Sequence, residues 1–204
     1  MGNADLMHES KVSGVILAAG GSVRMGQPKI LLDWNGKPLI WHAVQKATQA
    51  GLDPIIVVLG AVVEPAVDAI DEFCVKTIEN PEWKNGQSTS LKAGIMALPV
   101  DVKAVIIMLA DQPFIPVELL EHEKDLFLNH QATLVAPRVD KRPSTPVLFA
   151  RDYFEELVTN ITGDQGGRIL LSKYPVTWLE DYPVNVFKDI DTLSDYQNLR
   201  TDLE

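Results

Sequence analysis

The strongest limit on the fold is an alternation. Short runs that are apolar almost throughout are separated by stretches with helical spacing. Val12 to Ala18, Pro54 to Leu59 and Ala104 to Leu109 read as buried strands, and Cys74 to Ile78 as a weaker one. Between them, Leu39, Ile40, Ala43, Val44 and Ala47 share one helical face, with Pro38 before it and Gly51 after it. Val62 to Ile70 reads as a short helix. Leu91, Ile95 and Leu98 mark another that Pro99 stops, and Leu119, Leu120, Leu126 and Phe127 a further one begun at Pro116. Wholly apolar strands separated by helices indicate a sheet covered on both faces, and a covered sheet of this kind is parallel. Right-handed crossovers then give an α/β, doubly wound, mostly parallel sheet with helices on both faces.

The pattern changes after about Thr133. Thr133 to Ala136 and Pro146 to Phe149 read as close strands joined by turn residues. Tyr153 to Val158 and Ile169 to Tyr174 read as helical. Val176 to Glu180 and Val184 to Asp189 read as short strands, and Leu193 to Leu203 as a closing helix. This predicts a small mixed C-terminal part. At 204 residues, 46% of them hydrophobic and 23% charged, the chain suits about one domain. Residues 12–204 are expected to form it, with the polar residues 1–11 as an extension without fixed structure.

Charge and cysteine usage narrow the partners. A net charge of −10 disfavours duplex nucleic acid and anionic membranes, which select clustered Lys and Arg. Any anionic ligand must therefore be held by a local group of donors. Cys74 is the single cysteine, so intramolecular disulfides and multi-cysteine metal sites are excluded. A reducing, cytoplasmic location is expected. No apolar run is long enough for a membrane helix.

The richest stretch follows the first strand: Leu17-Ala18-Ala19-Gly20-Gly21-Ser22-Val23-Arg24-Met25-Gly26-Gln27-Pro28-Lys29. Small residues let backbone N–H groups approach a ligand and form an anion nest. Arg24 and Lys29 add two cations suited to a polyphosphate. The stretch is not a Walker loop, because Gln27 and Pro28 stand where Lys and Ser or Thr belong. Nor is it a dinucleotide fingerprint, because Gly20-Gly21-Ser22 lacks the spacing and no acidic residue ends the second strand. It closely resembles the L-A-A-G-x-S-x-R-M-G-x-x-K signature of sugar-phosphate and cofactor nucleotidyltransferases. Within them it most resembles the molybdenum cofactor cytidylyltransferase-like branch, which is related to the molybdopterin-guanine dinucleotide synthases. The resemblance covers nearly the whole chain from Val12.

That resemblance implies a nucleotide-diphospho-sugar transferase (Rossmann-like) fold, with residues 12–113 binding nucleotide and 114–204 binding acceptor. It implies nucleotide contacts from Leu17, Ala18, Ala19, Gly20, Gly21, Ser22, Arg24 and Lys29. Asn80 to Gly94 is similar to the family's N-x-x-W-x-x-G-x-x-x-S-L-x-A-G segment, which adds Gly86, Ser88 and Ser90. Asp111, in Asp111-Gln112-Pro113, matches the family's metal-binding D-x-P. Asp191 matches a second metal ligand, with Asp189 in reserve and N-capping as the competing role. Lys29, Arg24 and Asp111 are the expected catalytic residues, and Mg²⁺ the expected cofactor. Gly163-Asp164-Gln165-Gly166-Gly167-Arg168 matches the family's G-D-x-G-[AG]-R. Thr145-Pro146 stands where relatives carry His-Pro or Asn-Pro, and Ser144 replaces their Gly. Thr145, Pro146, Asp164 and Arg168 are thus the acceptor-side residues.

The implied reaction is transfer of CMP from CTP to the phosphate of a molybdopterin cofactor, with release of pyrophosphate. GTP as donor and a sugar phosphate as acceptor stay open. The implied partners are a molybdenum hydroxylase or its maturation chaperone. A non-catalytic delivery protein would be marked by loss of Lys29 or Asp111, and neither is lost. A glycosyltransferase would carry D-x-D in mid-chain, whereas Asp189-Ile190-Asp191 lies near the end. His8, His42, His122 and His130 have no metal spacing, and no G-x-S-x-G elbow is present.

Overall fold

A computed structural model of the chain describes residues 11–22 and 25–201. In chain order, β1 (Val12–Ala18) precedes a hairpin of β2 (Asp33–Trp34) and β3 (Lys37–Pro38). Then come α1 (Leu39–Gln49), β4 (Ile55–Leu59), α2 (Glu64–Asp68), β5 (Lys76–Glu79), α3 (Gln87–Met96) and β6 (Ala104–Leu109). The second half holds α4 (Val117–His130), β7 (Leu134–Val139), β8 (Arg142–Pro143), β9 (Val147–Ala150), α5 (Phe154–Thr159), β10 (Thr177–Leu179) and α6 (Leu193–Thr201). Among the described residues the main sheet runs β10-β7-β9-β6-β1-β4-β5, with β8 paired to β7. The β6, β1, β4 and β5 pairings are parallel, whereas β9 is antiparallel to both β6 and β7. The mostly parallel sheet and its mixed second half follow the sequence expectation.

The period of two along each strand sends alternate residues into two cores. Ile16, Val57, Leu59, Ile106 and Met108 pack with Ile40 and Val44 of α1 and Leu119 and Leu120 of α4. Val15, Leu17, Ile56, Val58, Val105 and Ile107 pack on the opposite face with Leu91 and Ile95 of α3 and Phe154 and Leu157 of α5. A third cluster joins Met25, Leu32, Trp34, Leu39, Ile190 and Leu199. The Trp34 ring meets Phe114 edge-on at 5.3 Å, and the Tyr196 hydroxyl donates to Asp33 O at 2.6 Å. The hairpin and α6 are thereby fastened beside the segment that follows β1.

Two sequence expectations need correction. Val184 to Asp189 is not a strand. Val184–Phe187 forms a 3-10 turn after Pro183, with Phe187 buried and Val184 exposed. Ile169 to Tyr174 is helical but tighter than an α-helix, as a 3-10 segment over Gly167–Ser172. The expectation of an unstructured 1–11 extension falls, but for Lys11, outside the described residues.

Candidate functional site

The sheet order creates a switch point. From β1 the chain steps outward through β4 to β5, then returns to the other side of β1 as β6. Ligands in open α/β sheets bind at the carboxyl ends of strands where the order reverses. Leu17 of β1 lies opposite Leu109 of β6, so the segments after both strands leave the sheet side by side. Between them lies a cavity of about 500 Å³. Leu17, Ala18, Ala19, Gly20, Gly21, Ser22 and Lys29 line it from the first segment, Asp111 from the second, and Gly86, Ser90, Asp164 and Asp191 from elsewhere. Arg24 lies outside the described residues.

The loop after β1 is braced by its own serine. Ser22 has φ of 48°, its carbonyl accepts from the Met25 N–H at 2.9 Å, and its Oγ accepts from the Lys29 N–H at 2.8 Å. The bend therefore delivers Lys29 back to the cavity. Gly21 is needed for a contact: a Cβ there would stand 2.6 Å from the Trp83 ring. Trp83, which itself lines the cavity, backs the loop with the Cη2–Cζ3 edge of its indole.

Lys29 is the centre of the polar constellation. Its Nζ donates to Asp111 Oδ2 at 2.5 Å and to Asp191 Oδ1 at 3.0 Å. Burial pulls the ammonium's pKa down, but the two carboxylates, Asp111 first, outweigh it and hold it above the usual lysine value. Asp189 stands nearby; its pKa is pushed up to about 6 by burial and by the Asp111 charge. Two carboxylates thus hold the ammonium directly, with Asp189 near enough to feel the Asp111 charge. The second oxygen of Asp111, Oδ1, is buried and has no hydrogen-bond partner, an expensive state for a carboxylate oxygen that a cation would relieve. Among the described residues no group of three or more His, Cys, Asp or Glu is arranged to hold a metal alone. One or two carboxylates completed by phosphate oxygens is the usual Mg²⁺ arrangement, and Asp111 with Asp191 fits it.

Asp191 is free to serve because its neighbours cap the helix. Thr192 Oγ1 accepts from the Asp195 N–H at 3.1 Å, and Asp195 Oδ2 accepts from the Thr192 N–H at 2.8 Å. This reciprocal capping box satisfies the start of α6 and leaves the Asp191 carboxylate to Lys29.

The segment 80–90 is organised by Asn80, which sequence reasoning quoted without a role. Its buried amide donates to Thr89 Oγ1 and Ser90 Oγ at 2.8 and 2.9 Å and accepts from the Glu82 N–H at 3.0 Å. Gly86, with φ of 106°, abuts the Gly163 carbonyl so closely that a Cβ has no room. The Ser88 N–H donates to that same carbonyl at 3.0 Å. Ser88 is itself buried and does not line the cavity: it sits in the first turn of α3 with its N–H spent on the neighbouring loop. This clasp draws residues 163–168 to the site.

A second cavity of about 150 Å³ adjoins the first, sharing Leu17, Gln87, Leu109 and Asp164. Thr145 and Arg168 line it, over an apolar floor that includes Leu91, Ile107, Val147 and Phe149. Pro146 does not. It lies behind, beside Gln112 and Lys46, because Val147 enters β9 immediately after it. Gln112 and Gln87 were missed by sequence reasoning. The only available signal was that Gln112 sits inside the Asp-Gln-Pro turn and Gln87 at the start of a helix facing the loop.

Comparison with known proteins agrees with this geometry. Residues 14–178 match the family model described as the MobA-like NTP transferase domain. A relative from Paenarthrobacter nicotinovorans named nicotine blue oxidoreductase is 27% identical over 98% of this chain and 100% of its own. The bifunctional protein GlmU of Symbiobacterium thermophilum is 31% identical over 55% of this chain, which spans only 24% of that longer protein. The crystal structure of Rv0371c from Mycobacterium tuberculosis superposes with a TM-score of 0.82 and 28% identity, covering 93% of this chain and 97% of that one. Its complex with manganese gives 0.74 and 26% over the same shares. Because the matched span runs from within β1 into β10 and takes in the loop, Asp111 and the clasped segment together, the chain belongs to the MobA-like NTP transferase family and is a nucleotidyltransferase.

Proposed function

We propose that this nucleotidyltransferase moves CMP from CTP to the phosphate of a molybdopterin-type cofactor and releases pyrophosphate. The observation that carries the reading is Lys29, delivered by the glycine loop and held between Asp111 and Asp191, residues 82 and 162 positions away in sequence. In this reading residues 12–113 hold the nucleotide and 114–204 the acceptor. The triphosphate lies along residues 17–29, where backbone N–H groups and Arg24 hold the β- and γ-phosphates. An oxygen of the acceptor phosphate attacks the α-phosphorus, the α–β bridging oxygen leaves with pyrophosphate, and a phosphoanhydride remains. Such transfers need positioning and charge neutralisation rather than covalent help. Lys29 neutralises the α-phosphate as charge builds. Asp111 and Asp191 would hold a divalent cation, Mg²⁺, which supplies further neutralisation of the phosphate oxygens when bound. The acceptor nucleophile is already an anion, so no general base is required.

The base side is supported by Gly86 and Ser90, which line the larger cavity, whereas Ser88, buried outside it, is left to hold the Gly163 loop. The Ser90 oxygen accepts from Asn80 and so keeps its own O–H to donate. The second cavity, with Thr145, Asp164 and Arg168 above an apolar floor, suits a flat ring better than a sugar's ring of hydroxyls. Incubating the protein with Mg²⁺, molybdenum cofactor and either CTP or GTP tests the reading. Cytosine dinucleotide and pyrophosphate are expected, and the guanine product would move the donor to GTP. A sugar-phosphate acceptor giving the faster turnover would replace the cofactor.

A second reading rests on the full-length relative named as an oxidoreductase. Consumption of a reduced nicotinamide or flavin by the protein, with no pyrophosphate from any triphosphate, would favour it. Binding of nucleotide and cofactor with no product would mark a delivery protein instead.

A further inference from the structure

Asp111 is followed by Gln112, which is buried at 5% exposure and is hydrogen-bonded to Thr145 in the wall of the smaller cavity. The Gln112 carbonyl oxygen, Oε1, accepts from the Thr145 hydroxyl at 2.8 Å. An amide carbonyl only accepts, so Thr145 must donate its single proton to Gln112. Thr145 is 7% exposed and lines the smaller cavity. With its proton committed, its oxygen has only lone pairs left for any other partner.

We propose that Gln112 sets the hydrogen-bond polarity of the acceptor pocket: through Thr145 it makes that wall an acceptor, selecting a substrate whose ring edge presents an N–H, NH₂ or O–H donor. Gln112 is a positioning residue here, and Thr145 is the residue that meets the substrate. The Thr145–Gln112 pair admits one direction of donation, because an amide carbonyl only accepts, so the choice is fixed before the substrate arrives. A site built to accept a hydrogen bond discriminates against a ligand that cannot give one, because the buried oxygen is then left unpaired. This inference rests on the acceptor assignment proposed above for the smaller cavity.

The test is steady-state kinetics with CTP, Mg²⁺ and molybdenum cofactor on four proteins: the parent, Thr145→Val, Thr145→Ser and Gln112→Met. Thr145→Val removes the lone pairs and should raise the acceptor KM about three- to tenfold, the ordinary worth of one such bond. The KM for CTP should stay within twofold, which also reports that the variant is folded. Thr145→Ser keeps the hydroxyl and should restore the parental acceptor KM. Gln112→Met keeps the volume but releases the Thr145 hydroxyl to rotate, and should raise the acceptor KM by a similar factor with kcat little changed. An unchanged acceptor KM in Thr145→Val, or a fall in kcat alone in Gln112→Met, would overturn the inference. A parent protein that makes no dinucleotide and retains no cofactor on equilibrium dialysis would instead overturn the acceptor assignment beneath it.

Discussion

Replacing Lys29 by methionine separates two roles that this side chain holds at once. In the free protein its ammonium lies 2.5 Å from Asp111 and 3.0 Å from Asp191, and it competes with any divalent cation for those oxygens. A unit charge pair at about 4 Å is worth about 1 kcal/mol in water and about 4 kcal/mol near a protein surface. Lys29 and Asp111 are 16% and 20% exposed and Asp191 is 47% exposed. Solvent screening therefore moves the value toward the lower half of that range, roughly 2 kcal/mol or about thirtyfold in affinity. Lys29→Met should bind Mn²⁺ about thirtyfold more tightly than the parent when no nucleotide is present. The free-ion signal in electron paramagnetic resonance during a Mn²⁺ titration reads this directly. Turnover should move the opposite way, with kcat falling by roughly 10²–10³ as an oxyanion stabiliser is lost. Weaker Mn²⁺ binding in a variant that keeps its cooperative melting would refute the idea that the ammonium holds the cation's place.

Three further perturbations follow from the packing. Glu123 in α4 is completely buried and neither oxygen has a partner, so burial holds its pKa well above the ordinary carboxylate value. The folded state therefore binds its proton more tightly than the unfolded chain does. The stability this contributes is complete below the unfolded pKa of about 4.3 and is lost as pH rises toward the folded pKa. Glu123→Met should remove that slope and raise stability at neutral pH by about 1–3 kcal/mol, measured as melting temperature from pH 5 to 9; identical slopes for parent and variant would contradict it. Gly86→Ala adds a Cβ at φ of 106° against the Gly163 carbonyl. It should cost about 1–3 kcal/mol and raise the KM of both substrates as residues 163–168 withdraw; an unperturbed melting temperature would refute the clasp. Thr192→Ala breaks the capping box of α6 and should cost about 1 kcal/mol in chemical denaturation, while Thr192→Ser should restore it.

Much of this architecture could be read from residue types because burial on both faces leaves a plain mark. Pro54 to Leu59 and Ala104 to Leu109 can satisfy their side chains only in the middle of a covered sheet, and they stand as β4 and β6 there. The loop at 17–29 was equally legible, since its small residues and its cations are local. The β2–β3 hairpin went unread although Asn35-Gly36, with φ of 52° and 84°, is the strongest short hairpin signal; two-residue strands carry too little periodicity to draw attention to it. Val184 to Asp189 was misread because three apolar residues in six satisfy a strand and a 3-10 turn alike. The meeting of Lys29 with Asp111 and Asp191 belongs to topology, as does the passage from Gln112 to Thr145, which are 33 positions apart. Only the return of β6 to the far side of β1, and of β9 to β6, brings those groups together. Periodicity within a segment holds no information on that return. The buried Glu123 was hidden in the charged run Glu121 to Asp125, which composition alone assigns to solvent.

The most direct measurement is a crystal structure of the protein with CTP and Mn²⁺, collected at the manganese absorption edge. The account predicts an anomalous peak against Asp111, at the oxygen that otherwise has no partner, with the triphosphate lying along residues 17–29. A peak held by residues remote from Asp111, or a nucleotide seated anywhere but that loop, would contradict it.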